Sequence, residues 1–399
     1  MPTTTWDGFQ ETIIVGGGMA GLGCAHRLRQ HGQPFLLVSP EIGGRVRTSP
    51  DGRVNYGAYY VTADYDWTLP FVKLVDTVRV TDCWFHRGGH RYTLLSPRLI
   101  KHLPALLRFT SDLRRFRRRY NDMNALASNF PRRELIESNN ELRNMYYQPA
   151  SQYIRERKLE SLFADYIEHL LWASFFHDPR EVSTFFLMAA SLPLVVPMYS
   201  FEFDRAAATA DIESQILDDS VEQIDMNGEM IRVATRDGRQ LACRQLVLAT
   251  PIALANRLLG PGYSQPTRQG IDVSYYHVRG KLRNTYQGPA RNFFPVEDGA
   301  VLSREQDGSF LYFYRNDYID RYFSQYEVIT HDTWKPALSF LGGRFQDLNP
   351  APGVFLANDH DIPSMENAYI NGRYAARMVI QHAHASPHSR RYSTELQRD

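Results

Sequence analysis

The sequence predicts an α/β protein in which a doubly wound, mostly parallel sheet is interrupted by a second domain of α+β character. Three observations carry this. A short apolar, β-branched run, Thr12-Ile13-Ile14-Val15-Gly16, leads into a glycine-rich turn and then helix-forming sequence. Largely apolar runs recur at residues 35–38, 246–251 and 353–357, far apart in the chain. Such runs suit strands buried on both faces of a parallel sheet. The 399 residues also exceed one ordinary domain.

The elements follow in chain order. Residues 12–16 form the first strand. Leu22 to Gln30 has an apolar face at Leu22, Ala25 and Leu28 and ends at Gly32; residues 35–38 are the second strand. This strand–turn–helix–strand unit is Rossmann-like. Between residues 98 and 119, eight basic side chains face a single acid, Asp112. Helical patterns continue through 134–145 and 154–176. Residues 220–224 and 231–238, with the Asp237-Gly238 turn, read as a hairpin. Residues 246–251 are a further buried strand, 272–283 and 309–315 are aromatic-rich strands, and 353–357 is the last buried strand. A helix spans 371–382, and the tail from Ser386 is polar and frayed.

Composition excludes several classes. Hydrophobic residues make up 43% and charged residues 22%, which rules out a disordered chain, a collagen or a disulfide scaffold. Lys plus Arg is 45 against 44 for Asp plus Glu, so no global charge points to nucleic acid. Cys24, Cys83 and Cys243 form no metal-ligand spacing, and so sparse a set suits reduced thiols in a cytoplasmic setting. The N-terminus lacks the basic and apolar regions of a signal peptide. The longest apolar run, 185–199, is interrupted by Pro193 and Pro197 and falls short of the about 20 residues that span a bilayer. It reads as substrate-domain core, channel lining or a membrane contact. The histidines show no HExxH pattern, so no metal is expected; His382, His384 and His388 read as part of a polar end. The basic run is either a solvated helix face or a site for an anionic substrate or lipid headgroups.

Gly16, Gly18 and Gly21 form a GxGxxG with separate physical jobs. Gly16 permits a tight exit from the strand, Gly18 lets backbone approach a pyrophosphate, and Gly21 lets the helix pack on the strand. The phosphates then meet the positive end of the helix dipole. Context after a strand and before a helix makes this a dinucleotide motif rather than a packing turn.

Downstream, Gly43-Gly44-Arg45-Val46-Arg47-Thr48 resembles the GGR-x-x-T segment of the flavin-containing amine oxidase superfamily. That group includes monoamine and polyamine oxidases, L-amino acid oxidases, protoporphyrinogen oxidases and carotenoid desaturases. Tyr56-Gly57-Ala58, Val221, the stretch 247–251 ending at Thr250 and Pro251, and the C-terminal Asp359 and Ser364-Met365 are similar to its other blocks. Together they cover about a third of the chain. The resemblance implies FAD held by Gly16, Gly18, Met19, Ala20, Gly21, Gly43, Gly44, Arg45, Val46, Tyr56, Gly57, Ala58, Val221, Thr250, Asp359, Ser364 and Met365. It also implies a discontinuous FAD-binding domain at 10–65, 205–265 and 340–385, and a substrate domain at 66–204 and 266–339.

The sequence departs from the family in four places. The second strand usually ends in a ribose-binding Glu; here Ser39-Pro40-Glu41 follows Val38, the linker to Gly43 is about two residues short, and either Ser39 or Glu41 takes that role. Asn358-Asp359 replaces Gly-Asp. No cysteine follows Cys243, so noncovalent FAD is implied. The family's flavin-side lysine aligns loosely with His277, with Lys281 four residues on. His277 is then a candidate proton acceptor or an ordinary strand histidine. The implied function is oxidation of an amine or amino-acid-like substrate by hydride transfer to flavin, with O₂ as a possible acceptor. A desaturase or isomerase of an apolar substrate, and a non-catalytic FAD-binding protein, are the alternatives.

Overall fold

The computed structural model describes residues 8–267, 270–288, 290–339, 344–358 and 362–385. Strand β1 (Gly8–Gly18) runs straight into helix α1 (Met19–Gln30), and β2 (Leu36–Gly43) returns parallel to β1. The helix ends where the sequence places a stop, with Gly32 at φ +63°. Its inner face, Leu22, Cys24, Ala25 and Leu28, is fully buried.

Strand β2 does not stop at Val38. Val15 pairs with Val38, but Gly17 pairs with Ile42, so Ser39-Pro40-Glu41 bulges out and the strand resumes. The bulge is tied by Ser39 Oγ, which donates to the Glu41 carbonyl at 2.7 Å. This is the physical reason for the short linker: Gly43 is still within the strand, opposite Gly18.

Strand β3 (Gln240–Leu248) lies on the other side of β1, parallel to it, and pairs with Val354–Leu356, also in parallel. Its first half pairs antiparallel with Ile231–Thr235, which pairs with Val221–Asp225. The Asp237-Gly238 turn, with Gly238 at φ +83°, therefore joins the second and third of these strands; 226–230 joins the first two. Helix α3 (Met365–Ala385) covers α1. The helices touch through glycine: a Cβ on Gly23 would stand 2.2 Å from the Tyr369 carbonyl oxygen, and one on Gly372 would stand 1.9 Å from that of Ala20.

A second sheet runs in the order Phe323–Leu338, Ile271–Leu282, Phe310–Tyr314, Ala300–Arg304, Arg291–Phe293, Cys83–Arg87, His90–Thr93. Only the pairing of Arg291–Phe293 with Cys83–Arg87 is parallel. Helices between residues 97 and 191 pack on this sheet, the longest being α2 (Leu103–Ala127). Residues 184–191 are helical, with Phe185, Leu187 and Met188 buried as core, whereas Ala190, Pro193, Leu194 and Met198 of the same apolar run line a cavity. A three-stranded sheet of Val61–Thr62, Met198–Phe203 and Val72–Thr77 lies between the two parts in sequence. No helix among the described residues is long and apolar enough to cross a membrane.

Candidate active site

One cavity of about 630 Å³ runs from the tip of β1 to the second sheet. At one end it is walled by backbone. Gly16, Gly17, Gly18, Met19 and Ala20 line it, and α1 begins there with no side chain capping its first amides and no acid in its first turn. Unsatisfied N–H groups at the positive end of a helix are suited to an anion.

The three motif glycines divide in function. Gly16 has φ +107°, and a Cβ there would meet the Ala249 carbonyl oxygen at 2.6 Å. A Cβ on Gly21 would meet the Gly16 carbonyl oxygen at 1.8 Å. Both are packing glycines, and Gly21 does not line the cavity. Gly18 has an ordinary φ of −73° and a hypothetical Cβ whose nearest neighbour is Gly44 Cα at 3.8 Å. Protein packing does not require glycine at 18, so the cradle is open on the side a ligand would approach.

The GGR turn forms the next wall. Ala58 N donates to the Arg45 carbonyl at 2.9 Å and Tyr56 N to that of Arg47 at 2.8 Å, locking the two segments together. Gly57 is required there, since a Cβ would lie 1.8 Å from the Arg45 oxygen. Gly43, Gly44, Arg45, Val46, Tyr56, Gly57 and Ala58 all face the cavity, as do Ser39, Glu41, Val221, Thr250, Ser364 and Met365. Thr250 Oγ1 is buried without a hydrogen-bond partner. Ser364 also caps α3, accepting from Asn367 N at 3.0 Å. Asp359 lies outside the described residues. An uncapped helix start, an open Gly18 and an orphaned Thr250 hydroxyl are what a diphosphate-bearing, hydroxyl-rich ligand would complete, so the residues fit FAD.

His277 and Lys281 are not brought to this cavity. Lys281 is exposed on its strand. His277 is buried behind Tyr56, with Tyr56 Oη 3.0 Å from Nδ1 and Ser309 Oγ 2.8 Å from Nε2. Ser309 Oγ in turn donates to Asp307 at 2.5 Å. The consistent assignment has Tyr56 donating to Nδ1 and Nε2–H donating to Ser309, which uses both ring nitrogens. Burial pushes this imidazole below the ordinary histidine range, so it is a neutral linker in a hydrogen-bonded chain.

The other end of the cavity is a chamber that motifs do not announce. Val78, Val80, Ile167, Leu170, Leu171, Leu194, Phe293 and Phe313 make it apolar. Ile167 belongs to a π-helical turn, Phe163–Ile167, a distortion that re-aims side chains and often occurs at functional sites. Arg79 is exposed at the rim, and half-buried Arg291 lies over the Tyr59 ring, 5.3 Å from its centroid. Tyr59 Oη donates to Glu305 at 2.8 Å and contacts Ser303 Oγ at 2.6 Å. Burial pushes the Tyr59 phenol up to about 12 and also raises the Glu305 carboxyl. Cys83 lines the chamber too, its thiol pushed up to about 11 by burial, so it is no ready nucleophile. The one sequence signal for Arg291 is a lone cation at the head of the buried run Asn292-Phe293-Phe294.

Comparison with known proteins agrees with this geometry. Residues 14–73 match the family model described as an NAD(P)-binding Rossmann-like domain. No curated protein matches the sequence. Solved structures match over nearly the whole chain. A double mutant of putrescine oxidase, from a redesign of its cofactor binding, superposes with a TM-score of 0.66 at 13% identity, covering 94% of this chain and 99% of that one. Wild-type putrescine oxidase bound to putrescine gives 0.64 at 14%, with coverages of 94% and 99%. Cyclohexylamine oxidase from Brevibacterium oxydans gives 0.62 at 15%, covering 95% of this chain and 100% of that one. At these identities the shared property is the two-domain fold.

Proposed function

We propose that this chain, which has the fold of putrescine oxidase and cyclohexylamine oxidase, is an FAD-dependent oxidoreductase that takes a hydride from a small molecule. The observation that carries the reading is the continuity of one cavity from the uncapped start of α1 to the apolar chamber. Bound FAD would supply a two-electron acceptor, and the protein supplies binding, orientation and exclusion of water. The start of α1 and Gly18 would hold the diphosphate, and Arg45, Thr250, Ser364 and Met365 line the same cavity. Glu41 is favoured over Ser39 for the ribose. Its exposed carboxylate can accept from hydroxyls, whereas the Ser39 proton is already given to the Glu41 carbonyl. With no cysteine after Cys243, FAD would be noncovalent.

The chamber bears on the substrate. Among the described lining residues the only carboxylate is Glu41, at the nucleotide end, while Arg79 and Arg291 line the chamber. A dication would meet apolar walls and two arginines there. An amino-acid-like or largely apolar substrate with an anionic group fits better, which keeps the desaturase reading beside the oxidase. Anaerobic mixing of the purified protein with amines, amino acids and apolar carboxylates, followed by air, tests this. Flavin bleaching that air reverses supports an oxidase; bleaching stable in air but reversed by quinones supports a desaturase. No bleaching by any class would leave a non-catalytic FAD-binding protein.

A further inference from the structure

Outside the cavity, the most unusual surface is the turn before α2 and the first half of that helix. Leu95 is 75% exposed, Ile100 67%, Leu103 44% and Leu107 67%. Ile100, Leu103 and Leu107 follow at helical spacing, so they form one outward ridge, and the same ridge continues into Arg114 and Arg118, with Arg115 beside it. From Leu103 to Arg118 the ridge is about 22 Å long.

The charges on α2 are sorted by face. Arg117 pairs with Asp64, and Arg119 with Glu141. Asp112 is turned away, accepting from Arg157 and Tyr153. Arg114, Arg115 and Arg118 are exposed and have no ion-pair partner among the described residues. The outward face therefore combines protruding apolar side chains with three arginines in no ion pair among the described residues, Asp122 being the exposed acid one turn beyond Arg118. The apolar side chains do not line the cavity, so they are not part of the small-molecule site.

We propose that this face docks the protein on an anionic lipid surface, the Leu95–Leu107 ridge entering the headgroup boundary and the arginines meeting phosphates. Charge complementarity favours an anionic bilayer: Arg114, Arg115 and Arg118 lie beside the exposed apolar side chains on one helix. One chain of contacts links this face to the chamber wall. Lys101 and His102, at the base of the ridge, bind Asp165 at 3.1 and 2.8 Å, and Asp165 lies in the π-helical turn that places Ile167 on the chamber wall.

The test is co-sedimentation of the full chain with phosphatidylcholine vesicles containing roughly 30% phosphatidylserine, at about 0.1 and 0.5 M salt. Binding is expected at low salt, weakened at high salt and poor on pure phosphatidylcholine. Replacing Arg114, Arg115 and Arg118 with Gln should weaken binding on the order of 100-fold, at about fivefold per charge. Leu95→Ser, Ile100→Ser and Leu107→Ser together should cost at least about tenfold. These side chains are exposed, so the melting curve should not move; should a triple variant fail to fold, Leu107→Ser and Arg115→Gln alone carry the comparison. A wild-type protein that stays in the supernatant overturns the proposal, as do variants that bind like wild type. Self-association that the serine variant abolishes, without vesicle binding, would also overturn it and make the ridge an interface between copies of the chain.

Discussion

Gly18→Ala separates a ligand-facing glycine from a packing glycine. The backbone at Gly18, φ −73° and ψ −179°, is one that alanine adopts freely, and the new methyl would have 3.8 Å to its nearest neighbour. The apoprotein should therefore gain about 0.4–1 kcal/mol, because alanine narrows the unfolded ensemble. The methyl would, however, stand where backbone should approach the diphosphate. Crowding of that kind costs about 1–3 kcal/mol, or roughly 5- to 150-fold in Kd. The two effects have opposite signs: the apo variant melts at or above wild type, while the FAD-saturated variant loses part of the ligand's stabilisation and melts below it. Gly21→Ala is the control. Its methyl meets the Gly16 carbonyl oxygen at 1.8 Å, so the apoprotein itself should melt lower. Calorimetry of apo and loaded proteins, with FAD titration followed by flavin fluorescence, reads every quantity. Wild-type FAD affinity in Gly18→Ala would refute the placement of the diphosphate. A lowered apo melting temperature would refute the claim that only the ligand requires glycine here.

Three other expectations are independent of this one. Glu41→Gln should weaken FAD binding several-fold while Ser39→Ala changes it less; the reverse order in the same titration would move the ribose contact to Ser39. His277→Ala should take one hydrogen bond each from Tyr56 and Ser309, leaving them Thr330 at 3.3 Å and Asp307 at 2.5 Å, and cost about 1–3 kcal/mol in stability, yet leave the rate of flavin reduction unchanged across pH; a pH-dependent loss of rate in stopped flow would restore a catalytic role. His169 is buried with Nε2 3.2 Å from the His86 carbonyl oxygen, and burial lowers its pKa to about 4. Its unfolded form takes up a proton near pH 6.5 and its folded form does not, so the stability it protects is complete above pH 6.5 and lost as pH falls toward 4, by up to about 3 kcal/mol. His169→Gln should flatten the melting temperature over that window, and an unchanged profile would show that another group governs it.

The residues that sequence reading placed well are those whose job is local. Gly16 and Gly21 need no distant partner to be recognised, because the strand exit and the helix contact lie within a few residues. The helix stop at Gly32 and the buried strands at 246–251 and 353–357 are legible for the same reason. Strand β2 was only partly legible: nothing at Ser39-Pro40-Glu41 says that pairing resumes at Ile42, since that register is set by β1. The Asp237-Gly238 turn was recognised as a turn, but the strands it joins depend on which neighbour β3 chooses. The chamber was illegible because its walls come from segments more than 200 residues apart, such as Val80 and Phe313. His277 shows the converse. Its place in the chain suggested chemistry, but the alternation of its strand turns it behind Tyr56 rather than toward the cavity.

Strand β3 pairs with β1, which precedes it by more than 200 residues, and with Val354–Leu356, which follows it by about 100. A chain leaving the ribosome can pair the first half of β3 with Ile231–Thr235, but it carries Leu246–Leu248 as a bare apolar edge until residues 354–356 have been made. The helix that shields α1 comes later still. Any stop codon before residue 354 leaves that edge permanently open, and an open apolar edge recruits other strands. Truncation should thus yield aggregation rather than a smaller folded protein. Residues 354–385, though furthest from the glycine motif in sequence, act as the closure on which the nucleotide end of the molecule depends.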